Sequence, residues 1–152
     1  MEIKAELIKP YTEEQKLSFI VEQNHNNGYE IRETETALEA WGYTEEEKQA
    51  QERERIAKLS MTKREMFLGL YQAKQITPDM LKVQITDPQA LIEFEYANDY
   101  YRGNPLIDVI GGQLGFTSEQ LDKFFETKDY HELLPVEPEE PVEVTDETNI
   151  NL

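Results

Sequence analysis

Residues 34–42, TETALEAWG, read as a short helix, and with them the whole chain reads as helical. Ala37, Leu38 and Trp41 form an apolar face at helical spacing. Gly42 closes the segment, as a residue without a Cβ often does at a helix C-terminus.

Working outward from this segment, the same punctuation recurs. Thr44 with Glu47 makes a capping box, in which hydroxyl and carboxylate each satisfy the other residue's backbone N–H. Three glutamates, Glu45, Glu46 and Glu47, then fill the first turn at the positive end of the helix dipole. The stretch Glu45–Arg55 carries almost no apolar residue, and Arg53, Arg55 and Lys58 come late. This is the order expected of a solvated helix held by local ion pairs, with Ile56 and Leu59 fastening its far end.

Thr12 with Gln15 and Thr62 with Glu65 make two further capping boxes. The first opens a helix over Glu13–Gln23 with Lys16, Phe19, Ile20 and Gln23 along one side. The second opens Lys63–Gln75, where Met66, Phe67, Leu70 and Tyr71 form a buried stripe. Thr77-Pro78, Asp87-Pro88 and Asn104-Pro105 each set an N-cap residue before a proline suited to the first helical position. They predict helices over Pro78–Val83, Pro88–Tyr101 and Pro105–Leu114, and Ser118 caps a last helix carrying Leu121, Phe124 and Phe125. Met1–Lys9 alternates imperfectly and reads as a short strand or an extended lead-in.

The chain therefore reads as all-α, a compact bundle of six to eight short helices over residues 1–133. Residues 134–152 read as a disordered acidic tail in which Pro135, Pro138 and Pro141 alternate with glutamates. The chain has 152 residues, with 32 acidic against 15 basic, a formal net charge of -17, and no cysteine. About a third of the excess lies after residue 133, where six acids meet no base. Such a balance repels phosphate backbones and anionic membranes, so direct nucleic-acid or membrane binding is not expected. Without cysteine there is no disulfide and no thiolate nucleophile or ligand. No apolar run is long enough to span a bilayer, and Met1–Pro10 lacks the apolar core of a signal peptide, which points to the cytoplasm.

No catalytic signature appears, and no cofactor or metal is expected. His25 and His131 stand alone, outside any ligand motif. Glu45, Glu46 and Glu47 point in different directions around a helix and do not converge on one ion. Glu93 with Asp99, or Asp108 with Asp122, are the carboxylate pairs whose approach would allow acid–base work. Gly111-Gly112-x-x-Gly115 lacks the preceding strand and the lysine of a phosphate loop, so close helix packing and a turn at Gly115 are the reading. Ser18, Ser60 and Ser118 lack nucleophile contexts. The expected interface residues are Glu45, Glu46, Glu47, Glu52 and Glu54 on the exposed acidic helix, with Tyr100 and Tyr101 as aromatic anchors.

Two stretches carry a resemblance. Tyr11–Lys48, with its sub-pattern ETETALEAWG (33–42) followed by Tyr43-Thr44-Glu45-Glu46-Glu47, and NPLIDVIGGQLGFTSEQLDKFF (104–125), together with the helix at Thr62–Tyr71, resemble small acidic accessory proteins of phages and prophages of Firmicutes and Fusobacteria. These are commonly encoded near tail or tail-fibre genes. The resemblance implies a non-enzymatic phage protein in the host cytoplasm or on the virion that binds a protein with a basic or sticky surface. Two jobs fit: assembly of a tail or tail-fibre subunit, or inhibition of an RNA-guided nuclease in the manner of anti-CRISPR proteins. In the second, the acidic chain would occupy a basic channel, and a type VI RNA-targeting effector is a candidate.

Overall fold

The computed structural model describes residues 1–136. The predicted tail lies, beyond residue 136, outside the described residues. The chain divides into two compact units, one over Met1–Leu59 and one from Ser60 onward. The all-α expectation is overturned: the described residues form seven α-helices and also five strands in two sheets.

The first unit is built on a three-stranded antiparallel sheet. Strands β1 (Glu2–Ile8), β2 (Glu30–Glu33) and β3 (Ala37–Gly42) lie in the order β1-β3-β2, so the segment expected to be helical is the central strand. Read at period two rather than 3.6, Leu38, Ala40 and Gly42 fall on one face and Ala37, Glu39 and Trp41 on the other. The register sets Leu7 and Glu33 beside Leu38, and Ala5 and Ile31 beside Ala40. Leu38 and Ala40 are fully buried on that face.

The opposite face shows contacts that a helix would not allow. Trp41 Nε1 donates to Glu39 two residues away at 2.8 Å, and Arg32 Nε donates to Glu30, also two residues away, at 2.9 Å. Residues so spaced diverge around a helix but share one face of a strand. The Arg32 guanidinium also lies 4.7 Å from the centre of the Trp41 ring, across the β2–β3 pair. Thr34 closes this hairpin, its N–H donating to the Ala37 carbonyl at 2.8 Å and its hydroxyl accepting from the Ala37 N–H at 3.0 Å. A helix reading failed here because register with β1 and β2 is non-local, and a nine-residue window does not contain it.

Helix α1 (Glu13–Ile20) starts from the expected Thr12–Gln15 capping box and runs on as a π-helical stretch, Val21–Asn26. Lys16 reaches Glu33 of β2 at 2.8 Å, so the side of α1 shared by Lys16, Phe19, Ile20 and Gln23 faces the sheet. Helix α2 (Glu45–Ala57) closes the unit with the Thr44–Glu47 box formed and no buried residue.

The second unit is mainly helical. A two-stranded antiparallel sheet pairs β4 (Ser60–Thr62) with β5 (Asp99–Tyr101). Around it stand α3 (Lys63–Lys74), α4 (Pro78–Lys82), α5 (Pro88–Tyr96), α6 (Pro105–Gln113) and α7 (Ser118–Thr127), with a 3-10 turn at Tyr130–Leu133. Asp87 and Asn104 cap α5 and α6 through their side chains, each ahead of its proline. The last helix is capped by Thr117, in a box with Gln120, rather than by Ser118.

Helix α7 organises this core. Leu121, Phe124 and Phe125 are buried, and two glycines let neighbouring helices approach them. A Cβ on Gly69 of α3 would stand 2.4 Å from the Phe124 ring, and one on Gly111 of α6 would stand 2.5 Å from a Leu121 methyl. The buried side of α3 is therefore Met66, Gly69 and Leu70, while Tyr71, expected inside, is 55 % exposed. A small apolar cavity of about 30 Å³ remains among α3 to α7, without a polar wall to hold a water.

Candidate functional site

The expected acidic interface on α2 is exposed but not strongly charged. Glu45 pairs with Lys48 at 2.9 Å, Glu52 with Arg55 at 2.6 Å and Glu54 with Lys58 at 2.6 Å. Glu47 takes the Met1 ammonium while serving the Thr44 cap. These cations hold the carboxyls of Glu45, Glu52 and Glu54 below their usual range, and the Met1 ammonium followed by the Thr44 N–H does the same for Glu47. Over residues 45–58, five carboxylates meet four cations. Of the five carboxylates only Glu46 has no ion-pair partner among the described residues, so α2 offers little net field to a basic surface.

The two tyrosines expected to act together are separated by strand alternation. The helix expected over Pro88–Tyr101 ends at Tyr96, where Ala97 turns to extended backbone with ψ 137°. Asp99–Tyr101 then pair with β4, which sends Tyr100 inward and Tyr101 outward. Tyr100 is 3 % exposed, its hydroxyl donates to the Phe94 carbonyl at 2.6 Å, and burial pushes its phenol up to about 12. Its ring packs with those of Phe94 and Phe67. Tyr100 is thus a core residue that reaches the surface only as a sliver of a groove wall, which corrects its place among the anchors. Tyr101 remains 57 % exposed.

Tyr101 shares its surroundings with Tyr96, which the sequence also places in a tyrosine cluster at this helix end, and with Ile92 and Leu106, which sequence reasoning did not single out. Ile92, Tyr96, Tyr101 and Leu106 line a surface groove of about 300 Å³ between α5, β5 and α6. Ile92 and Tyr96 are one helical turn apart on α5, 59 % and 78 % exposed. Glu93 and Asp99, weighed earlier as an acid–base pair, line the same groove, and neither has an ion-pair partner among the described residues. The signal available in sequence was Asn98-Asp99 after Ala97, a turn-prone pair that breaks the helix before Tyr100. The helical pattern that runs on from Leu91 masked it.

Asp108 and Asp122 are also brought together, but by a cation. Arg102, 5 % exposed, donates to Asp122 at 2.6 Å and pairs with Asp108 at 2.9 Å, and its remaining arm donates to the Ser118 hydroxyl at 2.7 Å. This network ties β5 to α6 and α7. Both carboxylates and the Ser118 hydroxyl are engaged by the guanidinium, which suits fastening rather than proton transfer.

His131 pairs with Asp129 at 2.6 Å and stacks on Tyr130, and His25 is exposed on the π-helical stretch. Among the described residues, no group of three or more His, Asp or Glu side chains stands as a metal site, and no helix is long and apolar enough to cross a membrane. Gly111 serves the helix packing expected of it, and Gly115 takes φ +82° in the turn before Phe116. Compared with protein-family models, curated proteins and solved structures, the chain matches none. The site therefore rests on geometry alone: an aromatic, apolar groove carrying two uncompensated carboxylates.

Proposed function

We propose that this chain is a phage-encoded accessory protein that works by binding another protein, and that its partner is a tail or tail-fibre subunit during assembly in the host cytoplasm. The observation that carries the binding role is the groove at α5, β5 and α6, where Ile92, Tyr96 and Tyr101 are all more than half exposed. Exposed apolar side chains gathered around one concavity, rather than scattered singly, are what protein-binding surfaces present. The phage setting rests on the resemblance of residues 11–48, 62–71 and 104–125. No cofactor, nucleic acid or membrane enters this reading.

Co-expression with the tail subunits encoded beside it tests the assignment. A subunit that is insoluble alone becomes soluble with this protein and co-elutes with it. If every tail subunit remains insoluble or elutes separately, the assembly reading fails.

A second reading, inhibition of an RNA-guided nuclease, draws on a different observation. Glu6, Glu13, Glu14, Glu22 and Glu35 of the first unit carry no ion pair among the described residues, so that unit keeps an outward negative field after α2 is neutralised. Such a field speeds encounter with a basic channel. An inhibitor would stop target cleavage by the purified nuclease at near-stoichiometric amounts, with binding that weakens as salt is raised. Unchanged cleavage at excess protein excludes it.

A further inference from the structure

We infer that the groove between α5, β5 and α6 receives a short segment of the partner protein in which an apolar side chain stands beside a lysine or arginine. This deepens the protein-binding reading above and rests on it.

The apolar half of the inference comes from the floor and walls. Ile92, Tyr96, Tyr101 and Leu106 reach the groove from three consecutive elements, so its shape is fixed by the backbone of the second unit rather than by one flexible loop. A volume of about 300 Å³ suits one or two side chains, not a whole helix face. Tyrosine covers much area with only two side-chain torsions to fix, which is why such rings anchor interfaces.

The basic half comes from Glu93 and Asp99. Their neighbours show that this position is not simply acidic surface with local compensation. Glu95 on the same helix is met by Lys82, Asp108 on α6 by Arg102, and Asp87 caps α5. Glu93 and Asp99 alone at the groove have neither an ion pair nor a cap to serve among the described residues. Two uncompensated carboxylates beside an apolar floor favour a cation attached to an apolar group, and both side chains of such a segment are met at once. A phosphate-bearing ligand would be repelled. A second copy docked face to face would bring the same carboxylates together, which costs rather than stabilises.

Selection from a display library of short random linear peptides, with the full-length chain as bait, tests this directly. The enriched peptides are expected to place an apolar residue next to lysine or arginine. Affinity for a synthetic copy should fall about tenfold or more in Tyr96→Ser, as for an interface anchor. Glu93→Lys with Asp99→Lys leaves the apolar floor intact and should switch the selected charge from basic to acidic. All three altered residues are exposed, so circular dichroism should show the native fold in each variant. Three results each overturn the inference: no enrichment, enrichment without a basic residue, or peptides that bind the variants as well as the native chain. The two readings fail separately. A tail subunit that co-elutes equally with native protein and with Tyr96→Ser keeps the assembly role and removes the groove. Groove-dependent peptide binding with no tail subunit bound keeps the groove and removes that partner.

Discussion

Glu33 gathers three groups onto one carboxylate. Lys16 reaches it at 2.8 Å, the Tyr11 hydroxyl donates at 2.7 Å and Lys9 lies at 3.2 Å. These partners, Lys16 foremost, hold its carboxyl down to about 2 from 4.5. A carboxyl depressed on folding contributes stability that is fully present above its unfolded value and is lost as pH falls through the folded one. The first unit should therefore weaken as pH drops from about 4.5 towards about 2, and Glu33→Gln should flatten that part of the profile. Trp41, the single tryptophan of the chain, sits in β3 and reports this unit by its fluorescence during urea unfolding at each pH. In the second unit, Tyr100→Phe deletes the bond to the Phe94 carbonyl and leaves a buried acceptor unpaired. A loss of about 1 kcal/mol is expected from denaturant unfolding.

At the scale of elements, the glycines of the second unit make a graded test of packing. Alanine at Gly69 or Gly111 meets Phe124 or Leu121, both locked in the core, and overpacking of this kind costs about 1–3 kcal/mol. Gly112, next to Gly111 on α6, has nothing within 4 Å of a built Cβ. Gly112→Ala should change stability by no more than about 1 kcal/mol, on the stabilising side, because alanine favours helix over glycine. Thermal unfolding of the three variants checks the order. These elements also show what was legible beforehand. The Thr12, Thr44 and Thr62 boxes and the Asp87 and Asn104 caps are written in residues three or fewer apart, and all form. Strand β3 is written in its partners Glu2–Ile8 and Glu30–Glu33, and its own residues admit both periods. The same non-local pairing, β5 with β4, decided which tyrosine faces solvent, and hence where the groove lies.

For the whole molecule, the contrast between the units matters more than the total charge. The first unit buries Ala37, Leu38 and Ala40 as its only fully buried hydrophobic residues, whereas the second buries Met61, Met66, Leu70, Phe94, Phe124, Phe125 and others besides. A small domain with so little buried apolar surface is marginal. Unfolding followed by Trp41 fluorescence should precede unfolding followed by the near-ultraviolet tyrosine signal, to which the second unit contributes five of the eight tyrosines, the buried Tyr100 among them. Coincident transitions would show that the two units unfold together. The net charge of -17 named a class of partner without a surface, and the ion pairs along α2 show why: charge totals ignore pairing.

The order β1-β3-β2 has a consequence in time. Strand β2 meets β3 through a three-residue loop, while β1 must wait for a partner whose far end, Gly42, lies opposite Glu2. Closing the short loop first costs less chain entropy than closing the long one, so the hairpin is expected to form early and β1 to dock late. On the ribosome, β1 is made before the other two strands of its sheet and is the last of the three to find its place.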